Sequence, residues 1–191
     1  VVKLVGAKPI LSDCESLENW NMTAEKIEKC ITDKTKAVII VHYAGYPCDI
    51  KPIVDLCKER NIYLIEDVAH APGASIDGIK CGAWGDIGTF SFFSNKNLSV
   101  GEGGMITSRD AKIHNRLKSL RSHGMTSLTL DRHKGRSSTY NVTESGLNYR
   151  LDEIRSALGI EQLKKLDHGN KKRMELTKTY RLNLDDINIE I

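Results

Sequence analysis

Apolar residues follow two patterns along this chain, short continuous runs and stripes at helical spacing. Residues 36–41 read K-A-V-I-I-V, and a second apolar run covers Ile62 to Ile65. Continuous runs of β-branched residues predict strands that are buried on both faces, as in parallel sheets. Residues 49–60, between the two runs, carry apolar positions at helical spacing, with Pro52 in the first turn. Strand, helix and strand in this order predict a right-handed βαβ unit.

The same two patterns predict the elements on either side of this unit. Upstream, Thr23 can cap a short helix, and the apolar residues of 1–13 predict that the chain begins within a strand. Downstream, two short strands are predicted at residues 89–92 and 105–107. They are followed by an amphipathic helix that Asp110 can cap.

Towards the C-terminal end the periodicity is weaker. Residues 122–145 are rich in serine, threonine, glycine and basic residues, a composition that predicts a functional or mobile loop rather than core. Leu151, Ile154 and Leu158 then predict a further helix that runs towards Leu166. The polar residues after that helix are also helical in pattern.

Composition places the chain among ordinary globular proteins. Of its 191 residues, 40% are hydrophobic and 28% are charged. The net charge of +3 is too small to indicate a nucleic-acid partner, and no apolar run approaches the roughly 20 residues that a membrane helix requires. The five cysteines are widely spaced and lack a C-x-x-C pair, which disfavours a metal site and predicts free thiols in a reducing cytoplasm.

Chemically useful side chains collect where the predicted strands end. Because ligands in parallel sheets bind beyond the carboxyl ends of the strands, we expect His42, Asp67 and His70 near one crevice. Lys96 follows in a polar turn between two predicted strands, before the glycine-rich residues 101–104. A lysine amine can form a Schiff base with an aldehyde cofactor, and a carboxylate can keep a pyridine nitrogen protonated. These residue types therefore fit an aldehyde cofactor with a pyridine ring.

The motifs in this stretch are specific. They read E-D-x-A-H-A-x-G-A, G-D-x-G-T-F-S-F, N-K-N-L and G-E-G-G-M. The chain resembles the DegT/DnrJ/EryC1/StrS family of pyridoxal-phosphate-dependent sugar aminotransferases from about Gly6 to about Asp167. The resemblance implies an α/β fold, a mostly parallel sheet with helices on both faces, as in the large domain of fold type I pyridoxal phosphate enzymes. It also implies amino transfer from an amino acid, glutamate being the expected donor, to a nucleotide-linked keto-sugar in a cytoplasmic homodimer.

The resemblance implies a role for each of five residues. Lys96 would bind the aldehyde of pyridoxal phosphate and move protons, and Asp67 would pair with the pyridinium nitrogen. His70 would lie against the cofactor ring, and Ser91 would contact its phosphate. Asn148 would reach across the dimer to the phosphate bound by the other subunit. Lysine rather than histidine at position 96 argues against the related sugar dehydratases.

Several of these assignments have an alternative. Asp67 could be a helix N-cap, Ser91 could bond only to its own backbone, and Asn148 could cap the helix that follows it. A desulfurase of the same superfold would need a mobile active-site cysteine, for which Cys81 is the candidate.

The resemblance further predicts how the chain is divided. Residues 1–167 would form the cofactor-binding large domain, incomplete at its N-terminus, and residues 168–191 a helical linker towards a C-terminal small domain. In the family, the helix start that binds the cofactor phosphate and the aromatic that stacks on its ring come before this point. We therefore expect an internal fragment that binds pyridoxal phosphate weakly. The alternative is a non-catalytic remnant that acts as a binding or dimerisation module.

Overall fold

A four-stranded, mostly parallel sheet forms the centre of the fold. The computed structural model describes residues 1–127, 133–135 and 139–184. In spatial order the sheet consists of β1 (Ala37–Val41), β2 (Tyr63–Asp67), β5 (Ile87–Ser91) and β6 (Gly104–Thr107). The first three strands are parallel, and β6 is antiparallel to β5. A separate hairpin joins β3 (Ser75–Ile76) to β4 (Ile79–Lys80). The predicted α/β class and mostly parallel sheet are confirmed.

The helices begin where the sequence offers capping side chains. Within the described residues they are α1 (Ala24–Glu28), α2 (Ile50–Glu59), α3 (Ala111–Leu120) and α4 (Glu153–Leu184). Thr23 Oγ1 accepts a hydrogen bond from the Lys26 N–H at 3.4 Å. Asp110 Oδ1 accepts bonds from the N–H groups of Lys112 at 2.6 Å and Ile113 at 3.2 Å. Both predicted caps are therefore confirmed. The described residues also contain two short 3-10 helices, Val2–Val5 and Tyr43–Gly45.

The main core lies between one face of the sheet and the helices α1 and α2. Ile40 and Leu64 project from β1 and β2 towards Ile50, Ile53 and Cys57 of α2. Ile40, Ile50 and Ile53 are completely buried. The amphipathic pattern of residues 49–60 thus forms the predicted helix between two parallel strands, and its apolar stripe faces the sheet.

The opposite face of the sheet is much more open in the described part of the chain. Ile39 is 41% exposed, and Tyr63 is 60% exposed, although both lie on strands that read as buried runs. The prediction that the first strand is buried on both faces is therefore wrong. Successive side chains of a strand point to opposite faces, and α2 covers only one of them.

The N-terminal segment also differs from the prediction. Residues 7–13 form no strand, and Ile10 and Leu11 are 60% and 90% exposed. A strand requires a neighbouring strand to pair with, and none of the described strands pairs with this segment.

The C-terminal helix includes the polar residues after Leu166, whose pattern was also helical. Helix α4 continues without a break past Leu166 to Leu184. Leu166 is its buried anchor, packed against Phe92, Leu98 and Val100. The loop predicted for residues 122–145 lies partly outside the described residues, as does the end of the predicted linker. Among the described residues, no helix combines the length and the apolar character needed to cross a bilayer.

Candidate active site

The strand register brings several predicted residues to one edge of the sheet. Asp67, at the end of β2, is level with Val41 of β1 and Thr89 of β5. Ser91 lies two residues beyond Thr89, so it shares the sheet face of Asp67. This is the C-terminal edge of the parallel strands, where ligands bind in such sheets.

A pocket of about 300 Å³ opens beside this edge. Its walls come from three loops, those after β1, after β2 and after β5, and its lining residues are Ala44, Ala69, His70, Asn95, Lys96 and Asn97. The structure thus brings His70 and Lys96 into one pocket, although 26 positions separate them in the chain. Asp67, Ser91 and Asn148 do not line it.

Lys96 has an amine that is available for chemistry. Its backbone N–H donates to the Phe93 carbonyl at 3.0 Å, which fixes the turn after β5. The side chain is half-buried, and Nζ has no hydrogen-bond or ion-pair partner among the described residues. A half-buried amine with no internal partner can act as a nucleophile towards a carbonyl group.

Asp67 uses one carboxylate oxygen for its own turn. Oδ1 accepts a hydrogen bond from the Ala69 N–H at 2.9 Å, while Oδ2 has no partner among the described residues. No helix begins after Asp67, so the helix N-cap alternative is wrong and the bond is an Asx turn. The free oxygen leaves this half-buried side chain able to pair with a cationic group.

Ser91 makes the local bond that the alternative described. Its Oγ accepts a hydrogen bond from the Phe93 N–H at 3.3 Å. Because the hydroxyl acts as an acceptor there, its own proton remains free to be donated to a ligand oxygen.

Asn148 is exposed and lies outside the pocket. Its backbone pairs with Ser122 in an isolated antiparallel bridge. The alternative that Asn148 caps the next helix is wrong, because Asp152 does so. Asp152 Oδ1 accepts the Arg155 N–H at 2.8 Å at the start of α4.

The sequence interpretation missed Glu66, a buried carboxylate next to Asp67. Glu66 is completely buried, and so is His42. His42 Nε2 lies 3.1 Å from Glu66 Oε2, and His42 Nδ1 accepts the Cys48 N–H at 3.1 Å. Since Nδ1 is an acceptor, the hydrogen of a neutral imidazole is on Nε2, and His42 donates to Glu66.

Backbone groups complete the surroundings of Glu66. Oε2 also accepts the Gly82 N–H at 2.7 Å, and Oε1 accepts those of Trp84 at 2.8 Å and Gly85 at 2.7 Å. Burial by itself would raise the pKa of Glu66, but the bonds from His42 and these three N–H groups outweigh it and lower that pKa. Glu66 is therefore an ionised anchor for the loop before β5. A signal existed in the sequence: two adjacent carboxylates at a strand end must point to opposite faces.

The candidate desulfurase cysteine has the wrong environment. Cys81 is 3% exposed, and burial raises its pKa to about 11. A nucleophilic cysteine needs an accessible thiolate, so Cys81 is a structural residue.

Comparison with known proteins gives a consistent result. The model of the DegT/DnrJ/EryC1/StrS aminotransferase family matches residues 1–191. The chain is 38% identical over 186 residues to the GDP-perosamine synthase of Escherichia coli O157:H7. This match covers 97% of this chain and 48% of that protein.

Two solved structures have the same fold. The aminotransferase TlmJ from Streptoalloteichus hindustanus superimposes with a TM-score of 0.88 at 33% identity, over 96% of this chain and 48% of that one. Helicobacter pylori PseC, an aminotransferase involved in the biosynthesis of pseudoaminic acid, superimposes with a TM-score of 0.87 at 31% identity. That match covers 97% of this chain and 47% of the PseC chain. The chain therefore spans about half the length of the relatives it matches.

Proposed function

Because this chain belongs to the DegT/DnrJ/EryC1/StrS aminotransferase family, we propose that the protein is a pyridoxal-phosphate-dependent sugar aminotransferase. The proposed reaction moves an amino group from an amino acid, glutamate in our proposal, to a nucleotide-linked keto-sugar. The observation that carries the proposal is the unpartnered amine of Lys96 in a pocket that it shares with His70.

The named relatives support the substrate class. One is a GDP-perosamine synthase and another acts in the biosynthesis of pseudoaminic acid, and both names refer to amino sugars. Since this chain spans about half of those proteins, the activity and the nucleotide-linked substrate are transferred to it as part of the proposal.

The polar groups of Lys96, Asp67 and Ser91 fit the cofactor. Bound pyridoxal phosphate supplies an electron sink for chemistry at the carbon that carries the amino group. Lys96 would hold its aldehyde group and would hold or move a proton at Nζ. Asp67 has a spare carboxylate oxygen that would keep the pyridine nitrogen protonated by charge. Ser91 has a free hydroxyl proton to donate to the phosphate.

Two further residues complete the proposed site. His70 would lie against the cofactor ring, because it lines the pocket with Lys96. Asn148 is exposed away from the pocket of its own chain, which is compatible with a role at the phosphate in a second copy. We therefore propose a homodimer in which each copy completes the site of the other.

Borohydride trapping tests the assignment of Lys96. The protein is loaded with pyridoxal phosphate, reduced, digested and analysed by mass spectrometry, and Lys96→Ala and Lys34→Ala are treated in parallel. We expect a visible absorption band and a pyridoxyl group on Lys96, both lost in Lys96→Ala and retained in Lys34→Ala. The exposed Lys34 controls for loss of charge alone. We also expect Lys96→Ala to abolish amino transfer.

Two outcomes would contradict the proposal. A pyridoxyl group on another lysine would show that Lys96 is not the Schiff-base residue. A protein that forms no coloured complex and no adduct would favour the alternative of a non-catalytic binding or dimerisation module.

A further inference from the structure

Two large aromatic side chains lie exposed beside the Lys96 pocket. The ring centroids of Trp20 and Tyr43 are 5.0 Å apart at an interplanar angle of 47°. Trp20 is 56% exposed and Tyr43 is 40% exposed. Tyr43 also contacts His70 edge-on, with centroids 6.1 Å apart. Because His70 lines the pocket, these two ring contacts connect the pocket with the exposed Trp20.

The aromatic pair, Trp20 and Tyr43, is held by a buried amide between them in the chain. Asn21 is 7% exposed, and its Oδ1 accepts the Tyr43 N–H at 3.0 Å. Its Nδ2 group donates to the carbonyls of Tyr46 and Pro47 at 3.1 Å and 3.3 Å. The residue next to Trp20 therefore fixes the loop that carries Tyr43.

The loop after β1 is also fixed at its base. The bond from the Cys48 N–H to His42 Nδ1 closes the loop, and Glu66 holds the same imidazole. Within this loop Ala44 has a φ of 53°, a left-handed conformation that is uncommon for alanine, and it lines the pocket. Surrounding bonds must hold such a residue in place, as those of His42 do at the base of this loop.

We propose that Trp20 and Tyr43 bind the nucleobase of the nucleotide-linked substrate by stacking. This inference rests on the function proposed above, which requires a substrate with both a sugar and a base. Exposed aromatic side chains stack on the flat ring of any nucleobase. Such stacking depends little on which hydrogen-bonding groups the base carries. The indole N–H of Trp20 already donates to the Leu17 carbonyl at 2.6 Å, so this ring offers its face rather than a polar group.

A cation from α4 contacts the turn that carries Tyr43. The Tyr46 N–H donates to the Tyr43 carbonyl at 2.9 Å, which brings the two residues together. Arg181 Nη2 of α4 donates to the Tyr46 hydroxyl at 3.3 Å. A guanidinium group is well suited to a diphosphate, so we assign Arg181 to the charged part of the same ligand.

Fluorescence titration tests the proposal directly, because Trp20 is one of two tryptophans. The other, Trp84, packs partly buried against the main core and serves as an internal reference. The probes are GDP, UDP and the corresponding nucleosides, with ribose 5-phosphate as a separate arm. We expect both diphosphates to quench Trp20 saturably, and ribose 5-phosphate to leave its fluorescence unchanged.

Variants measured by calorimetry separate stacking from charge. Trp20→Ala should weaken GDP binding by about 5- to 150-fold, as expected for the loss of one base stack, and Trp20→Phe should retain most of the affinity. Arg181→Gln should weaken binding of the diphosphate but not of the nucleoside. Trp20 and Arg181 are both exposed, so these changes should leave the fold intact.

Three results would overturn the proposal. The first is equal quenching by ribose 5-phosphate, and the second is unchanged GDP affinity in Trp20→Ala. The third is a Trp20 signal that follows protein concentration and ignores nucleotide, which would mean that a second copy covers the rings. The titration needs neither bound cofactor nor Lys96, so Lys96→Ala should still bind GDP. A failure of the Schiff-base assignment is thus distinguishable from a failure here.

Discussion

Glu66 and Asp67 are adjacent carboxylates at the end of one strand, yet their surroundings differ completely. Glu66 is completely buried and accepts four hydrogen bonds, from His42 and three backbone N–H groups. Asp67 is half-buried on the other face and accepts one, from Ala69. A carboxylate whose acceptor sites are all filled holds structure together, whereas one with a spare oxygen can serve a ligand. Glu66 on one face of the sheet therefore has a structural role, and Asp67 on the other face is available to a ligand.

The apolar residues show the same division. Ile39 and Ile40 are neighbours on β1, but Ile40 is completely buried under α2 and Ile39 is 41% exposed. Four experiments test this difference between the two faces of the sheet.

The largest effect is expected from Glu66→Gln. The side-chain NH2 group of the glutamine would face N–H groups that now donate hydrogen bonds to Glu66. Those buried N–H groups would then lack an acceptor. Each buried donor left without an acceptor costs about 1–3 kcal/mol in the free energy of unfolding, and the amide nitrogen would face two such donors. Urea unfolding should show this loss, while Glu59→Gln on the exposed side of α2 should change little. A loss below about 1 kcal/mol would refute the role of Glu66 as the anchor.

Acid should remove the same contribution from the unmodified protein. Burial opposes the charge of Glu66, but His42, Gly85, Gly82 and Trp84 together hold its pKa below the ordinary value of 4.5. A lowered folded-state pKa means that the stabilisation is fully present above the unfolded-state pKa and is lost as the pH falls through the folded-state pKa. The stability difference between wild type and Glu66→Gln should therefore narrow in urea titrations taken into the acid range. A constant difference would mean that ionisation of Glu66 is not involved.

Asp67→Asn should affect chemistry and leave the fold intact. The asparagine retains an Oδ1 acceptor for the Ala69 N–H but cannot hold a pyridinium proton by charge. Removal of a preorganised charge of this type commonly lowers turnover by about 10²–10³-fold. Steady-state amino transfer and urea unfolding should be measured on the same samples. Near-normal turnover would leave Asp67 with only its Asx turn.

The smallest effect is expected from a single methylene removed on either face. Ile40→Val should cost about 0.5–1.5 kcal/mol because the buried site cannot refill the space. The matched change Ile39→Val should cost clearly less, since that side chain is partly solvated. Equal losses in thermal or urea unfolding would show that the second face is covered in the protein in solution.

How much could be predicted from the sequence depended on how local each feature is. The four strands of the main sheet, α2 and the caps at Thr23 and Asp110 follow from neighbouring residues and were predicted with bounds close to those observed, whereas the hairpin of β3 and β4 was not predicted. The motifs also identified Lys96 and His70 as candidates, and the structure places both in one pocket. The misplaced features, by contrast, depend on distant partners. Residues 7–13 look like a strand but pair with none of the described strands.

The order of the elements, the family and the residue types available for chemistry follow from the sequence alone, because periodicity, caps and motifs each involve only short stretches of chain. Which face of the sheet is covered, and which carboxylate is buried, depends on contacts that form when the chain folds. A period of two shows that Glu66 and Asp67 point to opposite faces, but it does not say which face receives a helix. That choice depends on α2 and on the N–H groups of Gly82, Trp84 and Gly85, which reach Glu66 only after the chain has folded.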